Sequence, residues 1–427
     1  MRKSSEINID NLKDFKEQVL LKSKDYSHAC ILDSGEINTA LQKDKYEFLA
    51  ALGCSEKLEV SRHSFHALDE FQKHQKDWIF GAMTYEIKNE LDLSLMQENA
   101  STVVFPHLFF FKPITVVLVL KENPGKAIVL SLDEGFTLES KKPLGIPTNK
   151  LESPNFKSNF TKEEYINTVE EIKERIEEGL YYELNLCQEF KASGVSIDPI
   201  QLYKKMSQSN PVPFGAYLSW GCKYLLCSSP ERFLRKEGLL VTSQPIKGTA
   251  RRGETELEDT TLRIDLFNNE KERAENVMIV DLVRNDLSKT CKTGTVEVEE
   301  LFGIHSYRYV HQMISTIIGE ITSHSETINS IKNAFPMGSM TGAPKLEVIK
   351  NIDTLEKSAR GLYSGSVGYI DPKGNFDFNV VIRSLIYKED EEKLSYHVGG
   401  AITYDSQPEK EYEECLLKAK GITSLFD

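Results

Sequence analysis

Positive charge is in short supply in this sequence: 52 lysines and arginines face 65 aspartates and glutamates, a net charge of -13. A surface of that sign excludes an electrostatic grip on nucleic acid or on an anionic membrane, and a small anionic substrate has to be met by locally placed cations. Cysteine is sparse and unpatterned. The seven (Cys30, Cys54, Cys187, Cys222, Cys227, Cys291 and Cys415) are odd in number and include no Cys-x-x-Cys pair. This argues against a zinc site and fits reduced thiols in a cytoplasmic protein. Long apolar runs are missing as well. The purest aliphatic stretch, Ile114 to Leu120, is far below the ~20 residues that span a bilayer. Met1 to Asn11 lacks the apolar segment of a signal peptide. No internal repeat, low-complexity tract or heptad pattern occurs.

The 427 residues suffice for two or three average domains or for one large continuous core. Residues 1 to about 150 mix short helical patterns with strand-like runs, among them Ser101 to Phe111 and Ile114 to Leu120, rich in β-branched and aromatic residues. A polar stretch from Glu139 to Phe160, with Lys141, Lys142, Pro143, Pro147 and Pro154, reads as a linker or surface crossover. Residues 160–427 form the second region. It opens with an amphipathic helix over Lys162 to Glu178, preceded by Thr161, with Tyr165, Ile166, Val169, Ile172 and Ile176 on one face and Gly179 to end it. Strand-like runs follow at Tyr217 to Trp220, Lys223 to Cys227 and Phe233 to Thr242.

Several segments carry candidate chemistry. Lys247 stands in Thr242-Ser243-Gln244-Pro245-Ile246-Lys247-Gly248-Thr249 at the end of a predicted strand. A nucleophilic lysine there requires a depressed pKa, from burial or from Arg251 and Arg252 nearby; the alternative is a solvated turn lysine. Glu231, in Ser229-Pro230-Glu231-Arg232-Phe233, sits between apolar runs. Burial would raise its pKa toward neutrality and suit it to acid–base work, whereas an exposed acid paired with Arg232 would do nothing. The run Glu275 to Asp286 is apolar almost all round as a helix, so its acids need partners. Lys271 offers one for Glu275 at i,i+4; a divalent cation is the other. Glu411 and Glu414 share a helix face, with Lys418 one turn on. Because Mg²⁺ takes only one or two protein carboxylates, Glu275 and Glu414 would suffice for it.

Three segments suit anion binding. Gly338-Ser339-Met340-Thr341-Gly342-Ala343-Pro344-Lys345 is a loop running into a predicted helix from Pro344 to Ile352, with Pro344 in its first turn. It has neither the spacing of a phosphate-binding loop nor that of a dinucleotide fingerprint. Gly399-Gly400-Ala401-Ile402 reads as a loop after a strand, whose amides a carboxylate could approach. Arg383 falls in the alternating run Phe378 to Tyr387, from which a guanidinium could clamp a carboxylate bidentately.

In this order, and together with RGLYSGSVGY from Arg360 and GGAITYDS from Gly399, these segments resemble the chorismate-binding family that contains the anthranilate, aminodeoxychorismate, isochorismate and salicylate synthases. The resemblance covers roughly Thr161 to Leu425. It implies an α/β fold with two large, mostly antiparallel sheets packed as a sandwich with helices outside. Residues 1–150 would belong to that sandwich, and the active site would lie in the cleft between the sheets.

Lysine at position 247 is characteristic of members that aminate chorismate to 4-amino-4-deoxychorismate, toward 4-aminobenzoate and folate. Members resembling anthranilate synthase carry alanine there, and that activity is the alternative. The resemblance implies Lys247 as covalent nucleophile and Glu231 as general acid and base. It implies Glu275 and Glu414 as Mg²⁺ ligands, with Glu411 acting through water. Thr249, Thr341, Tyr363, Arg383, Gly399, Gly400 and Lys418 would bind substrate. Gln312 replaces a histidine that anthranilate synthases use in pyruvate elimination, although His311 stands next to it. Leu180-Tyr181-Tyr182-Glu183-Leu184-Asn185 departs from the Asp-Ile-Tyr-Gln-Val-Asn of many relatives, a change expected to touch the turn more than the chemistry. Without a Gly-x-Cys-x-Gly elbow for glutaminase chemistry, ammonia is expected from a glutamine amidotransferase subunit.

Overall fold

A computed structural model of the protein describes residues 2–37, 45–91, 99–139 and 153–427. Residues 140–152 of the expected linker, and with them the boundary near residue 150, lie outside the described residues.

The fold is mixed α/β. Among the described residues, twenty strands form one hydrogen-bonded network that doubles over into two layers. In the first layer the antiparallel order runs Lys3–Asn8, Asn123–Ser131, the C-terminal half of Leu108–Leu120, the N-terminal half of Tyr46–Val60, His28–Asp33, Phe214–Trp220, Lys223–Ser229, Ser384–Lys388, Lys393–Ile402 and Glu183–Ser193. The second continues from the other half of Leu108–Leu120 through Ile79–Met83, Ser366–Ile370, Phe376–Asn379, Arg232–Glu237, Leu240–Gln244 and Val310–Glu320. Ile246–Arg251 and Glu297–Ser306 both pair with Val310–Glu320. Strands of the first 150 residues thus pair directly with strands 214–220 and 366–370.

Period-2 alternation sorts the side chains. Leu49, Ala51, Val116, Leu118, Leu218 and Leu225 of the first layer pack against Phe80, Ala82, Phe109, Phe111 and Val367 of the second, forming the interior of the sandwich. The intervening residues Phe48, Ala50, Leu52, Val117 and Val119 face outward onto helices Leu12–Lys22, Lys162–Glu177, Pro199–Ser209 and Pro408–Thr423. Helices Ser64–Gln75, Glu270–Ser288 and Thr327–Ala334 cover the other layer.

Strands change layer at three corners, the usual way one sheet closes on itself. The hairpin of Tyr46–Val60 with Leu108–Leu120 bends where its register shifts between Cys54 and Glu56, opposite Pro113. Lys223–Ser229 passes into Arg232–Glu237 through Pro230 and Glu231, and Phe376–Asn379 passes into Ser384–Lys388 through Val380 to Arg383. The last two corners adjoin, with the Val380 amide donating to the Glu231 carbonyl at 3.0 Å.

Helix Lys162–Glu177 has the expected capping box, Thr161 and Glu164 each satisfying the other's backbone. Four local readings change. The strand expected from Ser101 begins only at Leu108, because Pro106 has no N–H to lend to a ladder. The run Phe233 to Thr242 is a hairpin of two strands rather than one. Gly399 and Gly400 lie within strand Lys393–Ile402, not after it. Pro344 caps helix Lys345–Leu355 instead of occupying its first turn.

Candidate active site

The two adjoining corners set a buried carboxyl group beside a guanidinium. Glu231 is 5% exposed, and Ser339 Oγ donates to its Oε1 at 2.6 Å. Burial drives its carboxyl up to about 7, against the lowering pull of Ser339, Lys247 and Arg383. Arg232 does not pair with it. On the opposite side of the backbone, Arg232 forks onto Asp377 at 2.9 Å through both Nε and Nη2. Arg383, expected on a strand, lies between two strands at φ +50, a left-handed conformation that a non-glycine residue holds only when its surroundings impose it. Its side chain is solvent-accessible inside a cleft crowded by protein. That crowding pulls its guanidinium below the ordinary value while Glu231 opposes the shift.

Lys247 is 8% exposed on strand Ile246–Arg251, so it is no solvated turn lysine. Its Nζ contacts Glu183 Oε1 at 2.5 Å. The expected depression of its pKa is not found. Burial lowers it, but Glu183, Glu275 and Glu231 together outweigh burial and hold the ammonium above its ordinary value. Arg251 and Arg252 supply no opposing field, because they turn away to Glu258 and Asp259. The departure at Glu183 reaches beyond the turn: fully buried, this residue is the direct partner of Lys247.

Further carboxylates ring the same cleft. Glu275, 9% exposed on helix Glu270–Ser288, is pushed up to about 7, chiefly by burial and further by the charges of Glu183 and Glu272, against Lys247. Lys271 stands 3.8 Å from it, so the i,i+4 pair exists without neutralising the site. From helix Pro408–Thr423, buried Glu411 and exposed Glu414 reach the glycine pair. A β-carbon on Gly400 would lie 3.7 Å from Glu411 Oε2, 3.7 Å from Lys418 Nζ and 3.9 Å from Glu414 Oε1. Lys418 bridges Glu414, at 2.9 Å, and the Gly399 carbonyl, at 2.8 Å.

This all-oxygen donor set with surplus negative charge suits a hard divalent cation. A carboxyl held near 7 by burial, and further by its like-charged neighbours, is what such a cation would relieve. Among the described residues, no three His, Cys, Asp or Glu side chains are placed to hold a metal ion together; one or two carboxylates would have to be completed by water and substrate oxygens.

The remaining expected residues divide. Buried Thr341 spends its hydroxyl on the carbonyls of Met337 and Gly338. Tyr363 lies beneath the glycine strand, its hydroxyl accepting from Cys187 Sγ at 3.7 Å and its ring stacked on His397. A β-carbon on Gly399 would fall 2.6 Å from that sulfur and 2.3 Å from the Leu186 carbonyl oxygen, so the strand has no room for a side chain there. Thr249 is exposed, paired across the ladder with Gln312, which is buried. His311 points to the other face, held by Asp259 at 3.0 Å and Ser306 at 2.8 Å; its imidazole therefore does not substitute for a histidine at 312.

Some motif residues are clamps rather than ligands. Arg360 is 1% exposed. It pairs with Glu356 and donates to the carbonyls of Met340 at 2.7 Å and Asn185 at 2.8 Å, tying the Ser339 loop to the Glu183 strand. Lys345 pairs with Asp286 and donates to the Pro336 carbonyl at 2.7 Å, fixing the same loop to the helix of Glu275. Ser339, Glu183 and Arg360 had no assigned role in the sequence reading. The signal for Glu183 was its departure from the glutamine that many relatives carry at that place.

Comparison with known proteins gives a consistent picture. The profile described as "chorismate binding enzyme" matches residues 16–424. The chloroplastic aminodeoxychorismate synthase of Arabidopsis thaliana is 37% identical over 95% of this chain and 46% of its own length. Anthranilate synthase component 1 of Saccharolobus solfataricus is 35% identical over 75% of this chain and 74% of its own. The chain spans less than half the length of the Arabidopsis protein and 30% of that of a rice relative. The crystal structure of anthranilate synthase component I from Streptococcus pneumoniae superposes with a TM-score of 0.78 at 24% identity, covering 91% of this chain and 94% of that one, which establishes the shared fold. With the profile spanning nearly its whole length, the chain belongs to the chorismate-binding enzyme family.

Proposed function

We propose that the chain aminates chorismate to 4-amino-4-deoxychorismate, the precursor of 4-aminobenzoate for folate, as an aminodeoxychorismate synthase component I. The observation that carries this reading is Lys247, a buried lysine on a strand inside the carboxylate-lined cleft. Lys247 Nζ adds to ring C2 as the C4–O bond breaks, and Glu231 gives its proton to the departing hydroxyl, which leaves as water. Ammonia then adds at C4, the C2–N bond breaks, and the Glu231 carboxylate takes a proton from the new C4 ammonium. A group that must give a proton and later take one works best with a pKa near the working pH, and burial holds Glu231 there.

Arg383 would meet a substrate carboxylate directly, while Lys418, shared with Glu414 and the Gly399 carbonyl, and the close-packed Gly399–Gly400 strand would line the approach of the other. Thr341 and Tyr363 support that surface from beneath, and Thr249 flanks Lys247. The contribution of these groups is orientation and charge complementarity. Glu275 and Glu414 would hold Mg²⁺, with Glu411 behind them through water, and the ion when bound would neutralise the ring carboxylate. Ammonia would come from a partner glutamine amidotransferase, with ammonium salts substituting in vitro. All seven cysteines are free, and no described helix is long and apolar enough to cross a membrane, which supports a reducing, cytoplasmic setting.

A second reading, anthranilate synthesis, is favoured by relatives of that name. Lys247 and Gln312 weigh against it: Gln312 offers no imidazole for pyruvate elimination, and His311 is committed to Asp259. The deciding experiment is chromatography of the products of chorismate, Mg²⁺ and ammonium chloride at mildly alkaline pH, for wild type and Lys247→Ala. Aminodeoxychorismate from wild type and loss of most of that rate in the variant is the expected result. Anthranilate from wild type would overturn the proposal.

A further inference from the structure

Lys247 can attack only as a free amine, and its surroundings oppose that state. Glu183 faces it from strand Glu183–Ser193, Glu272 and Glu275 from helix Glu270–Ser288, Glu231 from the corner, and Glu414 from the C-terminal helix. Arg383 stands near Glu231, Lys271 beside Glu275 and Lys418 beside Glu414. The charged groups named as acting on the ammonium are acids, so an acid in contact with it offers its proton a way out.

Among the described residues only Glu183 makes an ion-pair contact with Nζ, at 2.5 Å. Glu231 is engaged by Ser339, and Glu275 and Glu414 are the expected cation ligands. Glu183 is fully buried, and its second oxygen, Oε2, has no hydrogen-bond donor among the described residues. Because the pair is shut away from water and in direct contact, the transfer has only the 2.5 Å between Nζ and Oε1 to cross and needs no relay through solvent. The backbone that carries Glu183 is also fixed in place. The Tyr182 amide donates to the Ala343 carbonyl and the Asn185 amide to the Thr341 carbonyl, both at 2.8 Å. Gly342, at φ +144, leaves the Glu183 carbonyl oxygen 2.0 Å from where a β-carbon would stand.

We propose that Glu183 is the proton acceptor that frees the Lys247 amine for attack, a role resting on the reading of Lys247 as nucleophile. The Lys247 ammonium gives one proton to the Glu183 carboxylate, leaving an amine and a carboxylic acid. The amine bonds to C2, is released as an amine when ammonia has added at C4, and recovers its proton from Glu183. No proton is gained or lost over the cycle at this pair.

Two variants and two readouts test this. Glu183→Gln preserves shape and removes the base; Glu183→Asp preserves a carboxylate and shortens its reach. At pH 7.5 kcat for Glu183→Gln is expected to fall about 100-fold with little change in KM, the low end of general-base effects, and to climb with pH as Lys247 loses its proton unaided. Glu183→Asp should retain more activity than Glu183→Gln, whereas a purely space-filling role gives the reverse order. Independently of turnover, trace acetylation of Lys247 by acetic anhydride, followed by mass spectrometry across pH, should show a lower midpoint in Glu183→Gln than in wild type. Equal or higher kcat for Glu183→Gln at pH 7.5, or an unchanged acetylation midpoint, would overturn the proposal. A wild type that makes no aminodeoxychorismate would sink the functional reading instead, while the acetylation midpoint would still decide whether the two groups share a proton.

Discussion

Glu231 carries opposite consequences for stability and for catalysis, and Glu231→Gln separates them. Burial raises its carboxyl from an ordinary 4.5 to about 7. Below pH 4.5 it is protonated whether the chain is folded or not and contributes nothing. As pH rises from 4.5 to about 7 the unfolded chain releases the proton while the folded chain keeps it, so stability falls through that window and the whole penalty is present above it. At about 1.4 kcal/mol per pH unit, the interval from 4.5 to about 7 amounts to about 3 kcal/mol. Glutamine removes that penalty and weakens the bond from Ser339 by about 1 kcal/mol, leaving a net gain of about 2 kcal/mol at pH 8. With an unfolding entropy of about 0.9 kcal/mol/K for a chain of this length, this raises Tm by about 2 °C. Paired melts by scanning calorimetry at pH 8 and pH 4.5 should show Glu231→Gln more stable at the first and not at the second. The same variant should lose about 100-fold or more in kcat, as expected for removal of a general acid–base. A variant less stable than wild type at pH 8, or an equal gain at both pH values, would refute the claim that Glu231 is held protonated by burial.

Arg383→Lys keeps the charge but loses the planar fork, so KM for chorismate should rise roughly 10-fold or more with a smaller change in kcat; unchanged steady-state constants would remove Arg383 from the substrate's carboxylates. Glu275→Gln should raise the Mg²⁺ concentration for half-maximal activity at least ~10-fold and abolish any Mg²⁺-dependent rise in Tm, while a Mg²⁺ titration matching wild type would exclude it as a ligand. Gly342→Ala forces a β-carbon to within 2.0 Å of the Glu183 carbonyl, costing about 2 kcal/mol or more from overpacking and backbone strain. Its Tm should fall and its kcat with it, and a melt equal to wild type would show that the loop relaxes freely.

What could be read from the sequence was what short-range pattern controls. The capped helix from Lys162 is written in Thr161, Glu164 and the apolar spacing of Tyr165, Val169 and Ile172. The cleft strands show as apolar runs, and the family motifs marked Lys247, Glu231, Glu275 and Arg383 as site residues. Boundaries failed where tertiary geometry intervenes. Arg383 and Glu231 sit at corners that exist only because one sheet folds over another, and no local signal distinguishes a strand that continues from one that changes layer.

The chain's order of residues supplies the groups the site can use: a lysine after Pro-Ile, acids on two helices, a glycine pair, an arginine near the end of an alternating run. Their charge and surroundings arise from folding alone. Lys247 and Glu183 are 64 residues apart in the chain and 2.5 Å apart in space, and it is Glu183 with Glu275 and Glu231, not Arg251 or Arg252 next door, that outweighs burial and holds the lysine charged. The physical reason is that charge state follows desolvation and the nearest few ångströms of neighbours, and in a folded chain those neighbours come from every layer at once.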